Sequence, residues 1–348
     1  MKCRVITTGD THEWTGLLAR FRDSDVYFMA QYHQLYEVGD ESTAYAFVGE
    51  EGHDLFFYPF LLRPIKKVGT ITVQGRWCDI ETVVGYTGPL STTTNPAFLR
   101  DVWNCFSRWC MGEGVIAEFI RFNPLTENYI LAPDSCVVTN DRPLVVVRLD
   151  CSADELWRRY PSIQRNMVRK AELRQLACDE VALIEGMCDF QRLYEETMTR
   201  LGYSFYPRTY FSSLQSHLDN VTKIFAVHDG KKTVCAGLFF VQGDRIHYHL
   251  VGNDIQYREF APNNLLLHTV AKWGLEHGFR WLHLGGGRTA SQEDSLLRFK
   301  SSISKDRLPY RLGRRIHNQD TYEALCNMWM QHKSMATKPS HFFPYRLN

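Results

Sequence analysis

The feature that most constrains what this chain can fold into is an internal echo. Phe47 to Leu62 and Phe225 to Phe240 each read as an apolar run, an acidic-Gly turn and a second apolar run, with the turn glycines Gly52 and Gly230 lying 178 residues apart. Further on, Trp109 and Gly114 recur as Trp273 and Gly278, both pairs 164 residues apart, and each glycine is followed by an apolar run. A helix whose Trp packs inward, a Gly able to take the left-handed position after it, and a buried strand explain that pattern. Each half therefore reads as hairpin, helix, strand, and the fold class expected is α/β (α+β) with two mixed sheets flanked by helices. The first half has 14 more residues between hairpin and helix, which assigns a longer loop to the Gly-, Thr- and Pro-rich stretch from Gly75 to Pro96.

A length of 348 residues suits two cores better than one. The boundary is expected near Asp150, because Pro143 to Leu149 reads as a final strand and Ser152 to Glu155 as a capping box opening a new helix. The lobes are therefore 1–149 and 150–304. No Ser/Gly linker separates them, which leads to an expectation of tight docking along a shared ligand cleft.

Charge and cysteine usage narrow the function. Forty Lys and Arg against 39 Asp and Glu give a net charge of +1, so no global field gathers nucleic acid or anionic membrane, and any such partner must use a local patch. The ten cysteines show no CxxC pair and no zinc or disulfide spacing, and there is no HExxH or Cys/His cluster, so no metal is expected. The N-terminus lacks the apolar run of a signal peptide, and the apolar runs fall short of the roughly 20 residues that span a bilayer. The expectation is a cytoplasmic protein.

The order of motifs resembles the FemABX (FemAB-like) family of non-ribosomal peptidyltransferases, especially bacterial relatives encoded with cell-surface polysaccharide genes. The segments that carry the resemblance are Asp25 to Tyr36 (DVYFMAQYHQLY), Gly85 to Leu90 (GYTGPL), Arg121 to Leu125 (RFNPL), Ile163 to Glu172 (IQRNMVRKAE), Tyr248 to Asn253 (YHLVGN), Ala261 to Leu267 (APNNLLL), Leu284 to Gly287 (LGGG) and Phe299 to Ser302 (FKSS). The resemblance implies two tandem GNAT-like lobes, with 305–348 returning onto the first. It implies transfer of an aminoacyl group from aminoacyl-tRNA to an amine of a cell-envelope precursor, a peptidoglycan peptide or an amino sugar, without a cofactor. Neighbouring GNAT-like families use acyl-CoA or acyl-carrier protein instead, which leaves an N-acyltransferase of surface-polysaccharide amino sugars as the alternative. A non-catalytic module binding nucleic acid or a protein partner is the rival from another class.

The resemblance places Phe299 and Lys300 at the transfer site, where a fixed ammonium stabilises the oxygen anion formed as an amine attacks an ester carbonyl. The residues themselves give a helix opened by a Ser291-to-Asp294 box, with Lys300 at the edge of the stripe formed by Leu296, Leu297, Phe299 and Ile303. An exposed lysine over apolar neighbours is the plainer alternative. Arg245 to Val251 alternates as a strand, so His247 and His249 share a face opposite Tyr248. Tyr248 or His249 is the candidate for handling a proton or orienting substrate, against a pair satisfied in the core.

CoA-binding GNAT enzymes place a Q/R-x-x-G-x-G/A loop before the next helix, whereas this chain has Gln256 to Ala261 with Glu259 and Phe260 in place of the small residues. That argues against ordinary CoA binding. Asn264 caps the helix or orients the acceptor. Gly286, in the Gly285-to-Gly287 turn before Arg288, is a candidate anion cradle, or is there for packing. Arg165, Arg169 and Lys170 crowd one side of a helix, as a phosphate-binding strip for tRNA or a diphosphate-linked precursor, or as a solvated basic face. By family position, Tyr86, Arg121 and Asn123 in the first lobe line the acceptor side of the cleft; in the second lobe, Arg208 and Tyr210 follow a helix and are placed to reach it, against turn or surface roles. Peripheral membrane contact is compatible with these partners. Oligomeric state has no sequence signal.

Overall fold

The computed structural model describes residues 1–348 except Asp40, Ala336, Lys338 and Asn348. The chain divides into two compact units, Met1–Asp141 with Tyr310–Asn348, and Arg142–Pro309.

In the first unit, β1 (Lys2–Thr7), β2 (Thr43–Glu51) and β3 (Asp54–Pro64) form an antiparallel meander, β6 (Cys78–Glu81) pairs antiparallel to β3 and parallel to β8 (Val115–Arg121), and β15 (Arg307–Ile316) closes the set antiparallel to β8. The short β4 (Lys67–Val68) and β5 (Ile71–Thr72) pair with each other, and β7 (Leu90–Ser91) pairs with β3. Helices α1 (Thr11–Leu18), α2 (Ala30–Gln34), α3 (Pro96–Gly112) and α10 (Gln319–His332) flank these strands. Phe47, Phe56, Tyr58 and Phe60 of the hairpin pack with Val102, Trp103 and Phe106 of α3 in a buried aromatic core.

The second unit repeats the plan. β10 (Ala177–Val181), β11 (Thr222–Asp229) and β12 (Lys232–Gln242) form the meander, β13 (Arg245–Asn253) runs antiparallel to β12 and parallel to β14 (Trp281–Gly286), and β9 (Val137–Arg148) pairs antiparallel to β14. Its helices are α4 (Ala153–Arg159), α5 (Ser162–Leu173), α6 (Leu183–Leu201), α7 (Arg208–His217), α8 (Pro262–Glu276) and α9 (Ser295–Ser301). Phe225, Phe239, Leu266, Val270 and Leu282 sit in its core. Gly114 and Gly278, the glycines after the repeated tryptophans, have φ of +73° and +78°, so both helices end as the repeat predicted.

Two expectations need correction. The boundary falls after Asp141 instead of at 149, because Leu144 to Arg148 pair with Gly286 to Trp281 of β14 and so belong to the second unit; residues 305–309 stay there too. The stretch from Gly75 to Pro96 is not only a loop: it contains β6, the counterpart of β13, whose four residues CDIE are too short and too acidic to register as a buried strand. Ser152 does accept a hydrogen bond from the Glu155 amide as α4 opens, but Tyr160 and Pro161 end that helix and α5 begins afresh.

Candidate functional site

The geometry of the second unit turns on β13 and β14. Their parallel ladder matches Arg245, Ile246 and His247 with Trp281, Leu282 and His283 and, among the described residues, goes no further. β13 nevertheless continues along β12 to Asn253, and β14 continues along β9 to Gly286. Past His247 and His283, then, each strand pairs with a neighbouring strand only on its outer side, and at the far end of β13 the Asn253 amide and carbonyl are both bonded to the Thr197 hydroxyl of α6. A bulge sharpens the divergence. Leu238 faces Leu250 and Phe239 faces Tyr248, which leaves His249 as the extra residue.

The bulge corrects the expected alternation, since it re-aims His249 relative to its neighbours. Tyr248 stacks on Phe239 at 5.4 Å in the core, and its burial pushes its hydroxyl well above the ordinary range, so it stays protonated. His247 lies beside His283 with ring centroids 5.4 Å apart. His249 instead packs on Phe240, 4.5 Å between centroids, and its Nε2 is 2.7 Å from the Tyr210 hydroxyl. Burial, followed by the proximity of His247, lowers His249 to about 3, so at neutral pH it is an uncharged imidazole coupled to a phenol. Tyr206, which the sequence did not single out, stacks on Tyr210 at 4.1 Å and completes the cluster. Arg208, in contrast, is 82% exposed and lies 3.6 Å from Glu195.

Lys300 lies in α9, directly after β14, and is only 8% exposed. Its Nζ donates to the carbonyl oxygen of Gly286 at 2.8 Å. Burial brings the ammonium down from 10.5 to about 7; the carboxylate of Asp294 works against that fall and Arg288 with it. Phe299 beside it is half-buried against the core. The exposed-lysine alternative is thereby removed. Asp294, not Ser291, caps α9: its Oδ1 accepts from the amides of Leu296 and Leu297 at 3.0 Å each, and Ser291 only closes a turn to Glu293.

The other Asp294 oxygen, Oδ2, accepts from the amides of Arg288 and Thr289 at 3.1 and 3.0 Å. The amide-rich turn thus already holds an anion, and it is a side chain of the protein. Gly286 contributes a carbonyl to Lys300 instead of an amide to phosphate, and Gly287 has no room for a side chain, since a Cβ would lie 2.6 Å from Asp294 Oδ1. The Arg288 guanidinium sits 3.9 Å above the ring of Tyr203. Tyr203 and Tyr206 belong to the same short connection between α6 and α7, which links the Lys300 turn to the His249 cluster.

Most of the remaining candidates have structural partners. Asn264 Nδ2 donates to Gln164 Oε1 at 2.6 Å and its carbonyl accepts from Gln164 Nε2 at 3.1 Å, so it neither caps α8 nor faces a ligand but ties α5 to α8. Arg165 binds the carbonyl of Tyr160, Arg169 lies over Trp157 at 5.4 Å, and Lys170 is exposed. In the first unit, Arg121 pairs with Glu81 at 3.1 Å and binds the Thr82 carbonyl, stitching β6 to β8 where the counterpart strands of the second unit diverge. Asn123 is buried between Asp25, the Tyr86 carbonyl and the Leu125 amide. Tyr86 packs edge-on between Tyr27 and Tyr310, both at 5.4 Å. Among the described residues, no group of three or more His, Cys, Asp or Glu is placed to hold a metal, and no helix is long and apolar enough to cross a membrane.

Residues 162–301, which contain the diverging strands and Lys300, match the acetyltransferase (GNAT) domain family. The class defined by this domain is an acyltransferase of GNAT type. The fold of the chain is FemX-like, two GNAT-like units in tandem: a crystal structure of FemX superposes with a TM-score of 0.69 at 16% identity, covering 93% of this chain and 99% of that one. The C-terminal domain of a putative lysylphosphatidylglycerol synthetase from Agrobacterium fabrum gives 0.56 at 13% identity, over 93% of this chain and 96% of that one. L-PGS from Bacillus licheniformis also gives 0.56 at 13% identity, over 87% and 91%. No curated protein sequence matches the chain.

Proposed function

We propose that the protein transfers an aminoacyl group from aminoacyl-tRNA to an amine of a cell-envelope precursor, with Lys300 at the reacting centre. The observation that carries this reading is the buried Lys300 ammonium, held by the Gly286 carbonyl at the end of the strand that has parted from β13. A lysine kept out of water at a cost in stability is expected where charge develops in a transition state. In the reaction, the amine nitrogen attacks the ester carbonyl and forms the new C–N bond. The carbonyl electrons move to oxygen, where the ammonium stabilises them. Collapse breaks the C–O bond, the ribose hydroxyl oxygen leaves with a proton, and the amine gives up one. A lysine at about 7 is suited to carrying that proton. The Tyr210–His249 pair orients substrate as a neutral hydrogen-bonding unit.

Two features support a donor other than CoA. The segment before α8 is a 3-10 turn, Ile255–Phe260, with Glu259 exposed, and α8 opens with Pro262, which has no amide hydrogen to offer pyrophosphate. The Asn264 amide is already bound to the Ala261 carbonyl. The lysyl group that gives the putative lysylphosphatidylglycerol synthetase of A. fabrum its name agrees with an aminoacyl cargo. The test is to incubate purified protein with labelled aminoacyl-tRNA or labelled acyl-CoA pools and extracted envelope precursors. Label from the tRNA pool alone supports the proposal; label from CoA alone moves the activity to N-acylation of amino sugars.

A further inference from the structure

The outward face of α5 combines two features that a merely solvated helix does not need together. Gln164, Val168 and Ala171 are its buried stripe. At 100° per residue, Ile163, Arg169, Lys170 and Leu173 fall on the opposite side, and Arg174, the residue that ends the helix, lies at its flank. There, Leu173 is 84% exposed and Ile163 53% exposed, interleaved with the exposed cations Arg169 and Lys170, with exposed Arg174 beside them. Single exposed aliphatic residues are common, but two set among cations on one face are the pattern of a helix lying in a membrane interface. Glu172, the one acid on the helix, lies near the border of the buried stripe. Arg169 is braced over Trp157, and Arg174 over Phe260 at 4.6 Å, so the cations are held on a rigid apolar floor. The Gln164–Asn264 pair fixes the helix to α8.

We propose that this face of α5 docks the protein on an anionic phospholipid surface, with Leu173 and Ile163 entering the headgroup layer and Arg169, Lys170 and Arg174 facing lipid phosphates. Charge complementarity explains the cations and insertion explains the aliphatic residues, whereas a nucleic-acid backbone would call only for the cations. The inference is independent of the donor and of the role given to Lys300.

The experiment is co-sedimentation of the full chain with phosphatidylcholine vesicles, with and without phosphatidylglycerol, at low and raised salt, beside a binding assay with short duplex RNA. Binding should require phosphatidylglycerol and weaken with salt. It should fall at least about tenfold both in the double variant Arg169→Glu/Lys170→Glu and in the double variant Ile163→Asp/Leu173→Asp. These positions are exposed, and a thermal melt of each variant checks that it folds. Equal binding to both vesicle types would overturn the inference, as would retained vesicle binding by the Ile163→Asp/Leu173→Asp variant. Loss of RNA binding only in the charge variant, together with poor vesicle binding by the wild type, would also overturn it and make the face a polyanion site.

Discussion

Lys300 Nζ lies 2.8 Å from the Gly286 carbonyl oxygen, so the last strand of the GNAT domain and the helix that follows it are joined through a buried ammonium. Moving that group from 10.5 to about 7 costs the folded state on the order of 5 kcal/mol below pH 7. Lys300→Met, which fills the same space without charge, should therefore raise stability by up to a few kcal/mol while abolishing transfer. A denaturant melt at pH 6 alongside the transfer assay checks both; a destabilised Met variant would contradict the burial cost.

The pH dependence has a definite sign. Because Lys300 is lowered on folding, the unfolded chain binds the extra proton between pH 7 and 10.5, so this group's contribution makes stability rise with pH across that window. The stability gap between Lys300→Met and wild type should narrow as pH rises from 7 toward 10. Catalysis through the ammonium should fall as pH passes above about 7, and a single-turnover pH profile would show that limb in the wild type only.

Tyr210→Phe removes the hydroxyl bound to His249 Nε2 and keeps the ring stacked on Tyr206. Loss of one hydrogen bond in a half-buried site should cost about 1 kcal/mol of stability. Transfer should fall by about tenfold or more if the pair orients substrate. A purely structural pair would give the stability loss with unchanged kcat and KM.

Asp294→Ala removes the cap of α9 and the acceptor for the Arg288 and Thr289 amides together. The cap alone is worth about 1 kcal/mol, and the loop that positions Gly286 should loosen. Bonds from backbone amides outweigh burial and hold this carboxyl near 2, so its contribution is present above the ordinary carboxyl value and disappears as pH falls toward 2. Amide exchange at Arg288 and Thr289 should accelerate in the variant.

Much of the architecture was legible because it depends on local chemistry repeated twice. The hairpins around Gly52 and Gly230 and the helix-Gly-strand units ending at Gly114 and Gly278 all form where the echo placed them. β6 escaped because its pairing is set by β3 and β8, not by its own four residues. Lys300 was legible as a candidate, but its burial was not, since an edge position on a short helix does not reveal what covers it. The His249 bulge leaves no mark in an alternating strand, and so Tyr206, which reaches His249 through Tyr210, had no signal at all. Asn264 was misread because its partner, Gln164, lies 100 residues away. For Gly286 and its neighbours, the turn was recognised as able to hold an anion, but Asp294, seven residues beyond Gly287, had already filled it.

The most direct measurement of the central claim is single-turnover transfer of a labelled aminoacyl group from aminoacyl-tRNA to extracted envelope precursor, by the wild type and by Lys300→Met at pH 7. Labelled precursor is expected from the wild type, and a loss of about a hundredfold or more in the Met variant, which remains folded and is at least as stable. Equal rates in the two proteins would contradict it.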